Sequence, residues 1–273
     1  MGYKKILDLH THTDNSLDGN QSAMYMCEKA EIAGLRGIAI TDHIEIDCFT
    51  REHHDRRAVH SYFETMKARG AFTGKLLIFA GVELGQAIYD VPTAEKLLSS
   101  LKYDFVLGSV HNLRNMPDFC FLDYPTYTSE ELDELLKEYF HEERLLAEWG
   151  KFDSLAHLTY PLRYICGEHN IKVDLRDYSD EIDNILKVLV KNGRALEINT
   201  SGLRQKLKKT MPDVDVIARY RELGGEFITI GSDAHYAEFL GAGIPKGMEI
   251  AEKCGFKKIT FFENREPIQI PIE

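Results

Sequence analysis

The chain is poor in the residues that would make it a disulfide scaffold or a thiolate metal site. Its five cysteines, Cys27, Cys48, Cys120, Cys166 and Cys254, are an odd, scattered set with no Cys-x-x-Cys, a usage that suits a reducing compartment. No cysteine is followed at the sixth position by arginine, so a cysteine-phosphatase loop is absent. Positive charge is also scarce: 33 Lys and Arg stand against 44 Asp and Glu, a net charge of -11. That balance argues against a nonspecific nucleic-acid surface, which needs clustered cations, and it tolerates metal ions and cationic substrates. No apolar run is long enough to span a membrane, and the first strand-like segment starts within a few residues of Met1, leaving no room for a signal peptide. A soluble, cytoplasmic protein without a membrane partner is expected. No Pro/Gly/Ser-rich linker, low-complexity tract or repeat divides the 273 residues, so residues 1–273 read as one domain, with 44% apolar content for its core. The oligomeric state stays open, a homo-oligomer included.

What is present is a recurring ending. Ile6 to Thr11 is an apolar run that carries His10 and finishes on His12, and in an extended strand residues i and i+2 project to one side. A lone His-x-His is most often one core and one solvated histidine. Here the form repeats. Gly37 to His43 closes on Asp42-His43, Leu76 to Glu83 on a carboxylate, Phe105 to His111 and Ser154 to His157 on histidines. Ala195 to Asn199 carries Glu197, and Phe227 to His235 ends in Ser232-Asp233-Ala234-His235. Six of eleven histidines, at 10, 12, 43, 111, 157 and 235, thus lie at the carboxyl ends of strand-like runs.

Between these runs the spacing predicts helices near 22–33, 93–101, 129–149, 179–192, 212–223 and 246–254. The clearest opens on Thr128-Ser129-Glu130-Glu131, a capping box, and carries Leu132, Leu135, Leu136, Tyr139, Leu146 and Trp149 at helical spacing. A last strand is expected at Lys258 to Phe262, after seven with polar endings. Alternating β and α elements imply parallel strands, and a barrel or strongly curled sheet gathers so many strand ends at one face.

In this order the motifs His-x-His, Asp-His, Gly-Val-Glu, Gly-Ser-Val-His, Ala-His, Glu-Ile-Asn-Thr-Ser-Gly-Leu-Arg and Gly-Ser-Asp-Ala-His resemble the polymerase and histidinol phosphatase (PHP) family, over residues 6 to 235. The stretch Asn199 to Arg204 and the length are most like its monofunctional histidinol phosphatases. The resemblance implies a single-domain distorted (β/α)7 barrel with its active site at the carboxyl ends of the strands, and three divalent metal ions, Zn, Fe or Mn. It assigns His10, His12, Glu83 and Asp233 to a first ion. Glu83 bridges to a second, held also by His111 and His157, and Asp18, His43 and His235 take a third. The family often has histidine where this chain has Asp18, an oxygen donor that favours harder metals such as Mn.

The chemistry expected of such a cluster is hydrolysis of a phosphate monoester, most simply L-histidinol phosphate, by a hydroxide held between the first two ions. Asp233 or His235 is the expected proton carrier. Arg163 and Arg204, each following a ligand-bearing strand into a loop, are the expected phosphate clamps. Glu45, Asp47, Tyr89 and Asp118 are candidate partners for the cationic leaving group. Asp42 and Glu197 read as residues that orient ligands. His53, His54 and His60 lie in a charged stretch from Arg51 to His60 that reads as a solvated loop and helix start, with a place in the site for His53 or His54 as the minority reading. His60, His141 and His169 read as bystanders, and Asp213-Val214-Asp215 as a helix start. Three other readings remain: an amidohydrolase, which also opens on His-x-His; another phosphoesterase of the same family, acting on nucleotides; and a metal-binding protein without catalysis.

Overall fold

The computed structural model describes residues 6–272. It contains, in order, β1 (Leu7–Thr11), α1 (Ala23–Ile32), β2 (Gly37–Ile40), β3 (His43–Glu45), α2 (His54–Ala71), β4 (Leu77–Gly85), α3 (Val91–Ser100), β5 (Phe105–Ser109), α4 (Ser129–Trp149), β6 (Ser154–Leu155), α5 (Ser179–Asn192), β7 (Ala195–Asn199), α6 (Ser201–Arg204), α7 (Val214–Glu222), β8 (Ile228–Gly231), α8 (Ile244–Lys253), β9 (Lys258–Glu263) and β10 (Glu266–Pro271). Seven parallel strands form one curled sheet in the order β1-β2-β4-β5-β6-β7-β8, with helices outside. The seam between β8 and β1 is drawn together by Asp233 N to His10 O at 2.8 Å and His12 N to Ala234 O at 2.9 Å. Asp8 reinforces it, accepting from Ser232 N and Gly241 N, both at 2.8 Å. The fold is a nearly closed (β/α)7 barrel.

Two expectations change in form. The run Gly37 to His43 is not one strand: it breaks at Thr41-Asp42, and His43 restarts as β3, pairing with β4 so that His43 lies opposite Glu83. The last strand, β9, is not a barrel strand. It forms an antiparallel hairpin with β10 that covers the amino-terminal end of the barrel. There Phe262 stacks on Phe105 with ring centroids 5.4 Å apart, and Asn264 N and Arg265 N donate to Asp104 ahead of β5. With that end plugged by aromatic rings, the carboxyl end is the open one.

Long α4 begins at the Thr128 to Glu131 capping box and stops at Gly150, whose φ of 62° most side chains avoid. It carries a fully buried carboxyl, Glu143, which accepts a hydrogen bond from the Tyr139 hydroxyl at 2.7 Å while Oε2 has no partner among the described residues. Burial pushes this acid up to about 8, against the lowering effect of the Tyr139 bond and of His111. The folded state therefore binds a proton that the unfolded chain has lost above its ordinary value of 4.5, so stability falls as pH rises from about 4.5 to 8. Glu143→Gln removes that slope. Its advantage over the parent, measured by denaturant unfolding, should be negligible at pH 4 and reach on the order of 4 kcal/mol at pH 8. Parallel stability profiles for the two proteins would mean that Glu143 is ionised in the fold.

Candidate metal centre and cleft

Glu83, near the end of β4, is fully buried and lies at the centre of a ring of imidazoles. Its Oε2 stands 3.2 Å from His10 Nε2 and 3.5 Å from His12 Nε2; Asp233 Oδ1 is 3.9 and 3.6 Å from the same two nitrogens. Its Oε1 stands 3.0 Å from His111 Nε2 and 2.8 Å from His157 Nε2, and these nitrogens are 3.4 Å apart. A third group gathers beside them: His235 Nε2 is 3.4 Å from His43 Nε2 and 3.0 Å from Asp18 Oδ2. The structure thus brings all nine residues expected as ligands to one place; the sets whose donor atoms lie close enough to share an ion are His10, His12 and Glu83, then His43, Glu83 and His111, then His12, His43 and His235, with His43 Nδ1 2.9 Å from Glu83 Oε2. Asp18 is 61% exposed, so the group that it joins faces the entrance.

Other side chains fix which nitrogen three of the rings present. His10 Nδ1 donates to Glu197 Oε1 at 2.8 Å, while Glu197 Oε2 accepts from His157 N at 2.9 Å. His12 Nδ1 donates to Ser16 Oγ at 3.0 Å, and Ser16 donates to Asp42 Oδ1 at 2.8 Å. His111 Nδ1 donates to Glu45 Oε1 at 2.9 Å, with His43 Nδ1 3.3 Å from the same oxygen. Each bond leaves Nε2 free to turn inward, the arrangement by which carboxylates and hydroxyls orient metal-binding histidines. Glu197 and Asp42 therefore orient histidines of the cluster. Glu45 orients His111 and also lines the cleft, where a partner of the leaving group was expected.

Electrostatics and hydrogen bonding both fit these residues to cations. Burial opposes ionisation of Glu83, yet the imidazoles of His43, His10 and His111 hold it well below the usual carboxylate range. Asp233, also buried, is lowered to about 2 by His10, His235 and Arg163. Burial and the neighbouring His235, His43 and His10 push His12 well below an ordinary imidazole, so it stays neutral and offers a lone pair. Its Nε2 is buried without a hydrogen-bond partner among the described residues, an orphan that a bound cation satisfies. Mixed imidazole and carboxylate donors suit Zn, Fe or Mn. Asp233 and His157 are also held at positive φ, 54° and 22°, strain of the kind that collects at functional sites.

Above the centre opens a cleft of about 900 Å³, walled by both expected phosphate clamps, Arg163 and Arg204. The two differ. Arg204 donates through Nη1 to Ser232 O at 2.5 Å and through Nη2 to Asp233 O at 2.8 Å, so part of its fork holds the loop that carries Asp233. Arg163 stands 3.9 Å from Asp233 Oδ2, with its guanidinium 5.5 Å from the Tyr164 ring. Asp47 and Asp118 line the cleft. Tyr89 does not: its hydroxyl is hydrogen-bonded to Glu142 and to Asn112 O, on the α4 side of the loop. His54 is buried against Cys48, 3.4 Å from Sγ, and His53 precedes α2; neither belongs to the histidine cluster. His60 bonds Asn15, His141 contacts Arg144, and His169 packs near Tyr124, all away from the centre. Asp213 caps α7. Ser16, the support of His12, and Tyr160, whose ring lies 5.2 Å from that of His111 and 5.0 Å from that of His157, were not singled out from sequence.

Comparison with known proteins agrees with this geometry. A probable histidinol-phosphatase of Clostridium acetobutylicum is 32% identical over 264 residues, covering 95% of this chain and 98% of that protein. One of Thermotoga maritima is 33% identical over 93% of this chain and 95% of its own length. The crystal structure of histidinol phosphate phosphatase from Lactococcus lactis, complexed with zinc, L-histidinol and phosphate, superposes with a TM-score of 0.81 at 24% identity, covering 97% of this chain and 99% of that one. The model of the PHP domain matches residues 8–201, the stretch that carries seven of the nine clustered side chains and the glutamates that orient them, and this chain belongs to the PHP domain family.

Proposed function

We propose that the protein hydrolyses L-histidinol phosphate to L-histidinol and inorganic phosphate, with three divalent ions held by the groups around Glu83. The observation that carries the reading is the division of one buried carboxylate between two histidine groups beneath a cleft walled by arginines. Likeness to histidinol-phosphatases along nearly the whole chain supports the substrate. His10, His12, Glu83 and Asp233 hold the first ion, Glu83, His111 and His157 the second, and Asp18, His43 and His235 the third. When bound, the ions supply Lewis acidity to the phosphoryl oxygens and acidify a water whose pKa falls from about 15.7 to about 7.

The chain's own groups do the rest. Arg163 and the free part of the Arg204 fork bind the phosphoryl oxygens and orient the ester for in-line attack. Glu197, Ser16 and Glu45 keep the ligand rings aimed. Asp233 Oδ2, which faces Arg163, takes the proton of the attacking water and passes it towards the leaving oxygen, and His235 is the neighbouring relay.

A panel of L-histidinol phosphate, nucleoside monophosphates and short oligonucleotides, assayed with metal analysis of the purified protein, tests the reading. L-Histidinol phosphate should have the highest kcat/KM by at least tenfold; preference for a nucleotide would overturn the substrate. The grouping of ligands has its own test. Asp18→Ala should remove one of three ions per chain and lower kcat roughly 10- to 100-fold, the scale on which weakened metal-site support acts. Equal depletion of all three would show that the groups are divided wrongly.

A further inference from the structure

One of the acids expected to meet the cationic leaving group takes no part in the metal centre or the phosphate clamps. Asp118, on the loop between β5 and α4, lines the cleft and is held in place by two donors: Cys120 N at 2.7 Å and the Tyr160 hydroxyl at 3.2 Å, both on Oδ1. Tyr160 is itself fixed. Its hydroxyl also pairs with that of Tyr164 at 2.9 Å, and its ring packs against His111 and His157, the two imidazoles beside Glu83 Oε1. One fixed ring therefore joins that histidine pair to the Asp118 carboxylate. Arg163 and Asp118 line the same cleft, so an anion-binding and a cation-binding group share it.

We infer that Asp118 selects the substrate by taking its ammonium group, and that Tyr160 is the positioning residue that ties this recognition to the metal centre. The inference rests on the preceding reading that the substrate is a phosphate ester of an amino alcohol. In such an ester the ammonium lies only two carbons from the ester oxygen, and a paired cation and anion a few bonds apart match Arg163 and Asp118 in one cleft. Asp47, also in the cleft, is exposed and held by one bond from Asn112 at 3.2 Å, so it is less organised for the task. A carboxylate fixed in advance needs no ordering when the ligand arrives, and ion pairs that are partly withdrawn from water discriminate better than solvated ones.

The test compares L-histidinol phosphate with phenyl phosphate, an aromatic monoester without a cation, in the metal-loaded parent, Asp118→Asn and Tyr160→Phe. Asn keeps an oxygen for Cys120 N and the Tyr160 hydroxyl, so the loop is preserved. In Asp118→Asn the ratio of kcat/KM for the two esters should fall 10- to 100-fold, chiefly through a higher KM for L-histidinol phosphate, with metal content intact. Tyr160→Phe keeps the ring, and should lower the ratio by a smaller factor without loss of metal. Equal losses on both esters, or an unchanged ratio in Asp118→Asn, overturn the inference while leaving the substrate reading in place. A parent enzyme with no preference for L-histidinol phosphate overturns both.

Discussion

Glu83→Gln should deplete the first two ions together and lower turnover by roughly 10³-fold or more, the scale of losing a principal electrostatic group in a site shut off from water. The geometry dictates the pairing of the two losses. Each oxygen faces a different set of imidazoles, Oε2 towards His10, His12 and His43, Oε1 towards His111 and His157. An amide keeps one neutral oxygen and replaces the other with an NH2 that donates, so one group of ligands meets a donor where it needs an acceptor. The uncharged side chain also leaves His43, His10 and His111 without the carboxylate that counterbalances them. Elemental analysis and kcat on L-histidinol phosphate read both effects. Full metal content with near-normal turnover would remove Glu83 from the bridge.

The first half of that argument was legible in the sequence because a parallel barrel has a strong local signature. Each strand is an apolar run, and its last residues lie at the open end, so polar side chains there declare themselves by position alone. His10 and His12 converge, with ring centroids 5.0 Å apart, although the pairing of β1 with β2 slips between Asp8 and Thr11. Helix α2 was far less legible. Its buried positions, Ala58, Ser61, Thr65 and Ala68, follow helical spacing but are small or hydroxylated, so no apolar stripe marked the helix beyond its charged start. Strand β10 was hidden for a different reason: Pro267 and Pro271 demote the segment, and only its seat on β9 makes it a strand.

The groups that orient the ligands depend on pairings that no local pattern encodes. Glu45 reaches His111 because β3 lies beside β4 in a register that sets it opposite Gly85, and nothing in Glu45-Ile46-Asp47 reports that neighbour. Glu197 was readable as a residue of the barrel interior. Its bond to His10 spans 187 positions of sequence, which only closure of the barrel brings together. Arg163 and Arg204 were equivalent as sequence, each a few residues past a strand, and the fold separates them. One is engaged with the backbone that carries Asp233, and the other is turned to the cleft.

That difference makes Arg163 the cleaner probe of phosphate binding. Arg163→Ala removes a charge-assisted contact to an anion in a partly dehydrated site, and kcat/KM on L-histidinol phosphate should fall ~10²- to 10³-fold, about 3 to 4 kcal/mol, with metal content unchanged. Arg163→Lys should recover little, because a point charge does not reproduce the planar fork. Inorganic phosphate should inhibit the parent and inhibit Arg163→Ala more weakly. Arg204→Ala should behave differently. It also releases the carbonyls of Ser232 and Asp233, so the strained backbone that presents Asp233 loses its tie, and the first ion should bind more weakly as well. A split of this kind, with kinetics alone affected in one variant and kinetics plus metal in the other, follows from the hydrogen bonds and from no assignment by sequence. Wild-type hydrolysis and unaltered phosphate inhibition in Arg163→Ala would leave the phosphate to the ions alone and return Arg163 to the surface of the cleft.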